Sequence, residues 1–315
     1  MQIWTSSLSR MVVAVAMYAM LIALAAGKPK TSSKQHEVVE LMSHDESCYT
    51  QGLVFHQQYL YESCGNYGES SVRRVDPDTG DVLQVVEIPG QYFAEGLAAV
   101  GDRLYLLTWN EKIMFEIDIN TLTIQRTLTF ETYSGEGWGL AYDERQQRLV
   151  VSDGSSRLTF FALPTDDAGV LRRTGEVVVR TGVTDRSIGV ELVHLNELEM
   201  SPCGRYVYAN LWYKDELVKI DLVTGQVVDT LYLARLYPMK DRTRTADCLN
   251  GIAYNSSDGT LLLTGKLWPS YYRIKVHKPS WHAVADSATN DSNQSRAVAV
   301  SPGYQTVLHH SRAVQ

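Results

Sequence analysis

Ala94-Glu95-Gly96-Leu97-Ala98 sets a pattern that returns four more times along the chain. The matching stretches are Thr50-Gln51-Gly52-Leu53-Val54-Phe55, Gly137-Trp138-Gly139-Leu140-Ala141-Tyr142, Leu195-Asn196-Glu197-Leu198-Glu199-Met200 and Leu249-Asn250-Gly251-Ile252-Ala253-Tyr254. The third residues of the pattern, Gly52, Gly96, Gly139, Glu197 and Gly251, are 44, 43, 58 and 54 positions apart. Eight to ten residues after each comes a second apolar strand, such as Leu104-Tyr105-Leu106-Leu107 or Leu261-Leu262-Leu263-Thr264. A third strand then runs into a turn, clearest at Asp76-Pro77-Asp78-Thr79-Gly80 and Asp221-Leu222-Val223-Thr224-Gly225. Asp accepts hydrogen bonds from the backbone two residues on, and Gly tolerates the left-handed conformation such turns need.

Four short strands in about 45 residues, repeated five times, predict an all-β, five-bladed β-propeller. A pair of β-sandwiches is the competing architecture, but it gives no reason for one pattern to recur five times. The longer intervals are read as inserts, Pro164–Val190 after the third blade's strands and Arg235–Asp247 before the fifth blade. The fifth blade shows three strands before Val276. The alternating segment His36–Met42 is therefore expected to supply the fourth, so that an N-terminal strand closes the ring. The propeller domain is placed at residues 36–281. Residues 27–35 form a linker, and the polar stretch 282–315 a mobile tail in which His309-His310 is solvated.

Before that linker, Arg10 precedes an apolar run from Met11 to Ala26. Sixteen apolar residues ending in Ala23-Leu24-Ala25 suit a secretory signal over residues 1–26, with an uncleaved signal anchor as the alternative. The expected location is secreted or in the secretory lumen, touching membrane only if residues 1–26 stay attached. Cys48, Cys64, Cys203 and Cys248 fit an oxidising compartment, and Cys48–Cys64 and Cys203–Cys248 are the expected bridges, with buried free thiols as the alternative. Three sequons, at Asn255, Asn290 and Asn293, are glycan acceptors if the host is a eukaryote. A net charge of −7 argues against nucleic acid as a partner. Oligomeric state is not legible.

In a propeller the first strand of each blade lines the central channel, so equivalent positions converge. The residue before the recurring glycine is Gln51, Glu95, Trp138, Asn196 and Asn250 in turn. The end of the second strand offers Gly65, Trp109, Gly154, Trp212 and Lys266. One carboxylate, one lysine, three indoles and three amides at two aligned stations suggest a small-molecule cup rather than packing alone; a ring of amides holding water or an ion is the plain alternative. A Glu and a Lys among aromatics also suggest perturbed titration. No nucleophile elbow, zinc-protease motif or phosphate loop occurs, and His44, His56 and His194 read as structural or surface residues.

With Tyr49-Thr50-Gln51-Gly52-Leu53, Phe93-Ala94-Glu95-Gly96-Leu97, Leu107-Thr108-Trp109, Gly135-Glu136-Gly137-Trp138-Gly139-Leu140, Leu195-Asn196-Glu197 and Leu249-Asn250-Gly251, the chain resembles the plant-type glutaminyl-peptide cyclotransferases over roughly residues 36–277. The resemblance implies a five-bladed propeller that turns N-terminal Gln of peptides and proteins into pyroglutamate with release of ammonia. It implies an acyltransferase with no catalytic metal or other cofactor, and it allows a structural metal ion in the channel. Carried over position by position, it gives catalytic roles to Glu95, Lys266 and Asn196, with Glu95 as acid and base. It makes Tyr49, Gln51, Phe93, Trp109, Trp138, Trp212 and Asn250 the substrate-binding set. Tyr49 departs from the Phe expected there and adds a rim hydroxyl that bears on substrate preference; Met200 departs from the commoner aromatic.

These residue types suit the chemistry. The substrate's own amine attacks its own side-chain amide, so the protein has to hold a bent conformer and move one proton. Amide N–H groups and Lys266 would face the oxyanion. The alternatives are a non-catalytic secreted propeller that captures peptide or glycan in the same cup, and a metal-dependent lactonase-like hydrolase, for which the channel carries too few carboxylates.

Overall fold

The computed structural model describes residues 35–164 and 169–277. It contains five four-stranded antiparallel sheets and one two-stranded ribbon. The chain enters on β1 (His36–Ser43) and builds the first blade from β2 (Tyr49–His56), β3 (Tyr59–Gly65), β4 (Ser71–Val75) and β5 (Val82–Glu87). Blade two is β6 (Ala94–Val100), β7 (Arg103–Thr108), β8 (Ile113–Asp118) and β9 (Ile124–Thr129). Blade three is β10 (Leu140–Asp143), β11 (Arg148–Ser152), β12 (Arg157–Ala162) and β13 (Arg173–Val178), followed by the ribbon of β14 (Arg180–Thr181) and β15 (Val190–Glu191). Blade four is β16 (Leu195–Met200), β17 (Tyr206–Leu211), β18 (Glu216–Asp221) and β19 (Val227–Tyr232). The last sheet holds β20 (Leu249–Asn255), β21 (Thr260–Gly265) and β22 (Ser270–Val276), with β1 as its outer strand, antiparallel to β22.

Burial follows position in the blade. β3, β7, β17 and β21 are buried along almost their whole length, whereas outer strands such as β5 and β13 alternate or lie open to solvent. Aliphatic and aromatic side chains between neighbouring sheets form the core, as where Leu97, Leu104 and Phe115 of blade two meet Val72 and Tyr61 of blade one. The inner strands approach so closely that a β-carbon on Gly52 would collide with Leu97, and one on Gly96 with Leu140. That is why the position is glycine in the first three blades. The Asp turns work as the sequence predicts: Asp76 accepts from the Asp78 and Thr79 amides at 2.9 and 3.0 Å, and Asp221 from Val223 and Thr224 at 2.8 and 3.2 Å.

Two expectations need correction. The stretch 164–190 is not all insert, because Arg173–Val178 is the outer strand of blade three; its charges and central Gly175 hide the strand pattern. The true insertion is residues 179–194, between β13 and β16. Cys203–Cys248 is not a bridge: both are buried free thiols. Cys203 follows the end of β16 while Cys248 precedes the start of β20. These are opposite ends of adjacent inner strands, roughly 20 Å apart for six residues of strand. Cys48–Cys64 does form, with a Cα separation of 5.0 Å, tying the start of β2 to the end of β3. The expected signal segment, most of the linker, the tail and the sequons at Asn290 and Asn293 lie outside the described residues.

Candidate active site

Four of the five inner strands are irregular at the same place. Their pairing slips between Thr50 and Gly52, Ala94 and Leu97, Leu195 and Leu198, and Leu249 and Ile252. A bulge leaves one residue out of the ladder and re-aims its side chain. The residues so placed are Gln51, Glu95, Asn196 and Asn250, the polar half of the first station. In blade three Trp138 stands just before β10, its N–H bonded to the Ser152 carbonyl.

Together with the ends of the second strands these residues enclose a cavity of about 320 Å³. Its lining is Tyr49, Gln51, Phe93, Glu95, Trp109, Trp138, Asn196, Trp212 and Lys266, plus Asn66. Nine of the ten residues singled out from sequence thus share one cavity. The tenth, Asn250, does not line it. Fully buried behind Gln51, it donates from Nδ2 to the Thr50 carbonyl at 3.0 Å and to Gln51 Oε1 at 3.3 Å. That contact turns the Gln51 amide so that its Nε2 donates to Glu95 Oε1 at 3.0 Å. Asn250 therefore lies behind the wall, in contact with Gln51.

The two glycines of the second station are explained by what lies over them. A β-carbon on Gly65 would meet the Phe93 ring, and one on Gly154 the Trp138 indole. Rings from neighbouring positions fill those two stations, and Asn66, one residue beyond Gly65, reaches the cavity. Sequence reasoning missed Asn66 because alignment stopped at the glycine.

The aromatic wall falls into two groups. Phe93 packs edge-to-face on Trp109 at 5.7 Å between ring centres, on Tyr49 at 6.3 Å and on Tyr67 at 5.4 Å. Trp138 packs on Trp212 at 5.3 Å, and His194 borders Trp212 at 5.9 Å. Lys266, only 4% exposed, has its ammonium 4.6 Å from the centre of the Tyr49 ring, within cation–π range. The Tyr49 hydroxyl donates to Asp247 Oδ2 at 3.1 Å, and burial with Asp247 pushes this phenol up, so it stays protonated.

Glu95 is 5% exposed. Burial pushes its carboxyl well above the usual carboxylate range; the Lys266 charge opposes that shift, and Glu136 and Glu111 add to it. Such a group takes and returns a proton near neutral pH more readily than an ordinary carboxylate. Asn196 is buried, and its Oδ1 has no partner among the described residues, which leaves it free for a ligand. Further along the axis Glu197 and Glu199 are also raised by burial, Glu199 to about 8. Glu197 accepts the Leu53 amide at 3.3 Å and Glu199 the Tyr254 amide at 3.0 Å, and neither lines the cup.

The described residues contain one cluster with metal-ligand composition, His44, Cys48 and Glu62. It does not suit an ion. The Cys48 sulfur is in the disulfide, both His44 nitrogens are engaged by Glu62 and the Trp268 carbonyl, and the Glu62 oxygens accept from Thr50 and Tyr271. His44 is thus structural, as its sequence context suggests.

The pattern of the family described as glutamine cyclotransferase matches residues 11–276. The chain belongs to the glutamine cyclotransferase family. It is 36% identical over 247 residues to a glutaminyl-peptide cyclotransferase of Arabidopsis thaliana, covering 78% of this chain and 72% of that one. Its fold superimposes on the crystal structure of Myxococcus xanthus glutaminyl cyclase with a TM-score of 0.64 and 33% identity, over 76% of this chain and 96% of the other. Within the matched span, the inner strands carry the carboxylate, the amides and Trp138 of the cup, and the ends of the second strands carry Trp109, Trp212 and Lys266.

Proposed function

We propose that this cup closes an N-terminal glutaminyl residue into pyroglutamate, with Glu95 carrying the proton between the two nitrogens. The neutral α-amine attacks the side-chain carbonyl carbon, forming the ring C–N bond. Glu95 accepts one proton from that nitrogen and returns it to the amide nitrogen, and the C–N bond to the amide breaks to release ammonia. One carboxyl within reach of both nitrogens can do both steps, a contribution of about 10²–10⁴-fold for such a group. Lys266 and the Asn196 amide face the oxyanion, and Gln51 keeps Glu95 in place. Trp109, Trp138, Trp212 and Phe93 exclude water and hold the bent conformer. The carboxyl that burial holds towards its neutral form, inside an indole-lined cavity, carries this reading.

No step calls for a metal or other cofactor. The substrates are peptides and proteins that begin with Gln, and the location is a secretory one. The buried Cys48–Cys64 disulfide supports an oxidising compartment. No helix among the described residues is long and apolar enough to cross a membrane. Asn255, the last residue of β20, is the sequon within the described residues. The deciding measurement is ammonia release from a Gln-initiated dipeptide with EDTA present. Turnover at the same rate with and without chelator is expected. Absence of release from folded protein that still binds the peptide would instead favour a capture module, and loss of release on chelation would overturn metal independence.

A further inference from the structure

Glu136 has no place in the chemistry above, yet its carboxylate sits between the two aromatic groups of the wall. Trp109 Nε1 donates to Glu136 Oε2 at 2.7 Å, and Trp138 Nε1 donates to the same oxygen at 2.8 Å. An indole has one N–H and cannot accept, so the direction of both bonds is certain. Trp109 ends the second strand of blade two, and Trp138 opens blade three. Among the ring contacts, Trp109 belongs with Phe93, Tyr49 and Tyr67, while Trp138 belongs with Trp212 and His194. One carboxylate oxygen joins the two sets.

We propose that Glu136 is a positioning residue that fixes the two halves of the aromatic wall relative to each other, setting the width of the mouth through which the glutaminyl residue enters. The loop that carries it is built to be rigid. The Glu136 amide donates to Ser134 Oγ at 3.2 Å, its carbonyl accepts from Thr132 Oγ1 at 2.6 Å, and Ser134 is tied to Asp153 through both its amide and its hydroxyl. Gly137 follows, where a β-carbon would strike Phe130 and the Thr108 carbonyl. The chain therefore delivers the carboxylate to a fixed point, and the two charge-assisted bonds pass that fixity to the indoles. A second consequence is electrostatic. Glu136 is one of three charged groups that act on Glu95, with Lys266 and Glu111, and its negative charge favours the protonated form of Glu95.

The proposal rests on the cyclotransferase reading for its kinetic tests but not for its spectroscopic one. In the full chain labelled with ¹⁵N, the indole N–H resonances of Trp109 and Trp138, assigned with the single Trp→Phe variants, should both shift upfield and exchange faster in Glu136→Ala. They should stay near their wild-type positions in Glu136→Gln, whose amide oxygen still accepts both bonds. With Gln-initiated dipeptide, Glu136→Ala should lower kcat/KM about 30-fold or more, chiefly through KM, because the walls are loosened while the Glu95 carboxyl itself stays in the cup. Glu136→Gln should recover most of that loss while its acid limb of kcat/KM moves to lower pH, since removing a negative charge makes Glu95 easier to ionise. Glu131→Gln, an exposed neighbour paired with Lys112, should change neither readout. Unmoved indole resonances in Glu136→Ala, or a kcat/KM within about threefold of wild type, would overturn the proposal. So would equal loss in Ala and Gln variants, which marks a role in folding only. Should Glu136→Ala not fold, Glu136→Gln alone decides through its retained resonances and its displaced acid limb. If the wild type released no ammonia, the reaction would be wrong, and the indole spectrum would still test the clamp.

Discussion

Glu62 and Glu95 are both buried carboxyls in the first two blades, 1% and 5% exposed, and their environments move them in opposite directions. Burial works against charge at both. Glu62 overcomes it because His44 Nε2 lies 2.9 Å away and Thr50 and Tyr271 each donate at 2.8 Å, so its carboxyl is lowered. At His44 burial likewise opposes charge, and Glu62 reverses the balance, leaving the imidazole raised. Glu95 receives a bond from Gln51, feels a lysine without pairing with it, and is raised well above its usual range. A fully partnered carboxylate is fixed in one protonation state and serves the fold. A sparsely partnered one remains able to exchange its proton and serves a reaction.

That contrast can be broken at either end. The largest effect is expected from Glu95→Gln, which should lower kcat by about 10²–10⁴-fold while leaving thermal stability unchanged or raised, because burial already disfavours the charge. Normal turnover in this variant would remove Glu95 from the reaction. Glu62→Gln should do the reverse. It strands His44 without its counter-charge and should destabilise the fold by about 3–5 kcal/mol in urea unfolding, with kcat of the folded fraction retained. The pH dependence of that loss has a definite sign. The Glu62 contribution is present above its ordinary value of 4.5 and fades as pH falls through its lowered native value. The His44 contribution is complete below 6.5 and fades as pH rises through its raised native value. The stability gap between wild type and Glu62→Gln should therefore be widest between those two values, and a gap flat from acid to alkaline pH would refute the ion pair.

Smaller effects sharpen the comparison. Among the described residues Lys266 is the charge that lowers Glu95, so Lys266→Met should move the acid limb of kcat/KM to higher pH and reduce kcat by about 10²-fold if it also faces the oxyanion. A limb that stays in place would show that Lys266 does not sense Glu95. Tyr49→Phe removes the 3.1 Å bond to Asp247 and should change stability by about 1 kcal/mol. Comparing kcat/KM for Gln-initiated dipeptides that differ in the second residue then shows whether the rim hydroxyl sets preference.

Much of this site is legible in the chain because repetition makes unlike residues comparable. Gln51, Glu95, Asn196 and Asn250 stand out only once the five segments are superimposed, and Trp109, Trp212 and Lys266 likewise. What escaped was whatever depends on a neighbour outside the repeat. Asn66 stands one residue past an aligned glycine; Asn250 is masked by Gln51; Glu136 bonds to indoles from two blades. β13 was hidden because an exposed outer strand needs no apolar pattern, and the supposed Cys203–Cys248 pair looked close because proximity along the repeat says nothing about which end of a strand a residue occupies.

From the sequence alone came the number of blades, the outer strand supplied by residues 36–42 and the two rings of residues around the axis, since each follows from periodicity in hydrophobic burial and turn chemistry, which are local. Only the tertiary structure decided which members of those rings touch and which carboxyl burial raises. Contact and desolvation are properties of the space between blades, and residues 44 to 200 positions apart in the chain, such as Gln51 with Glu95 and Asn250 with Thr50, meet there without any local signal to say so.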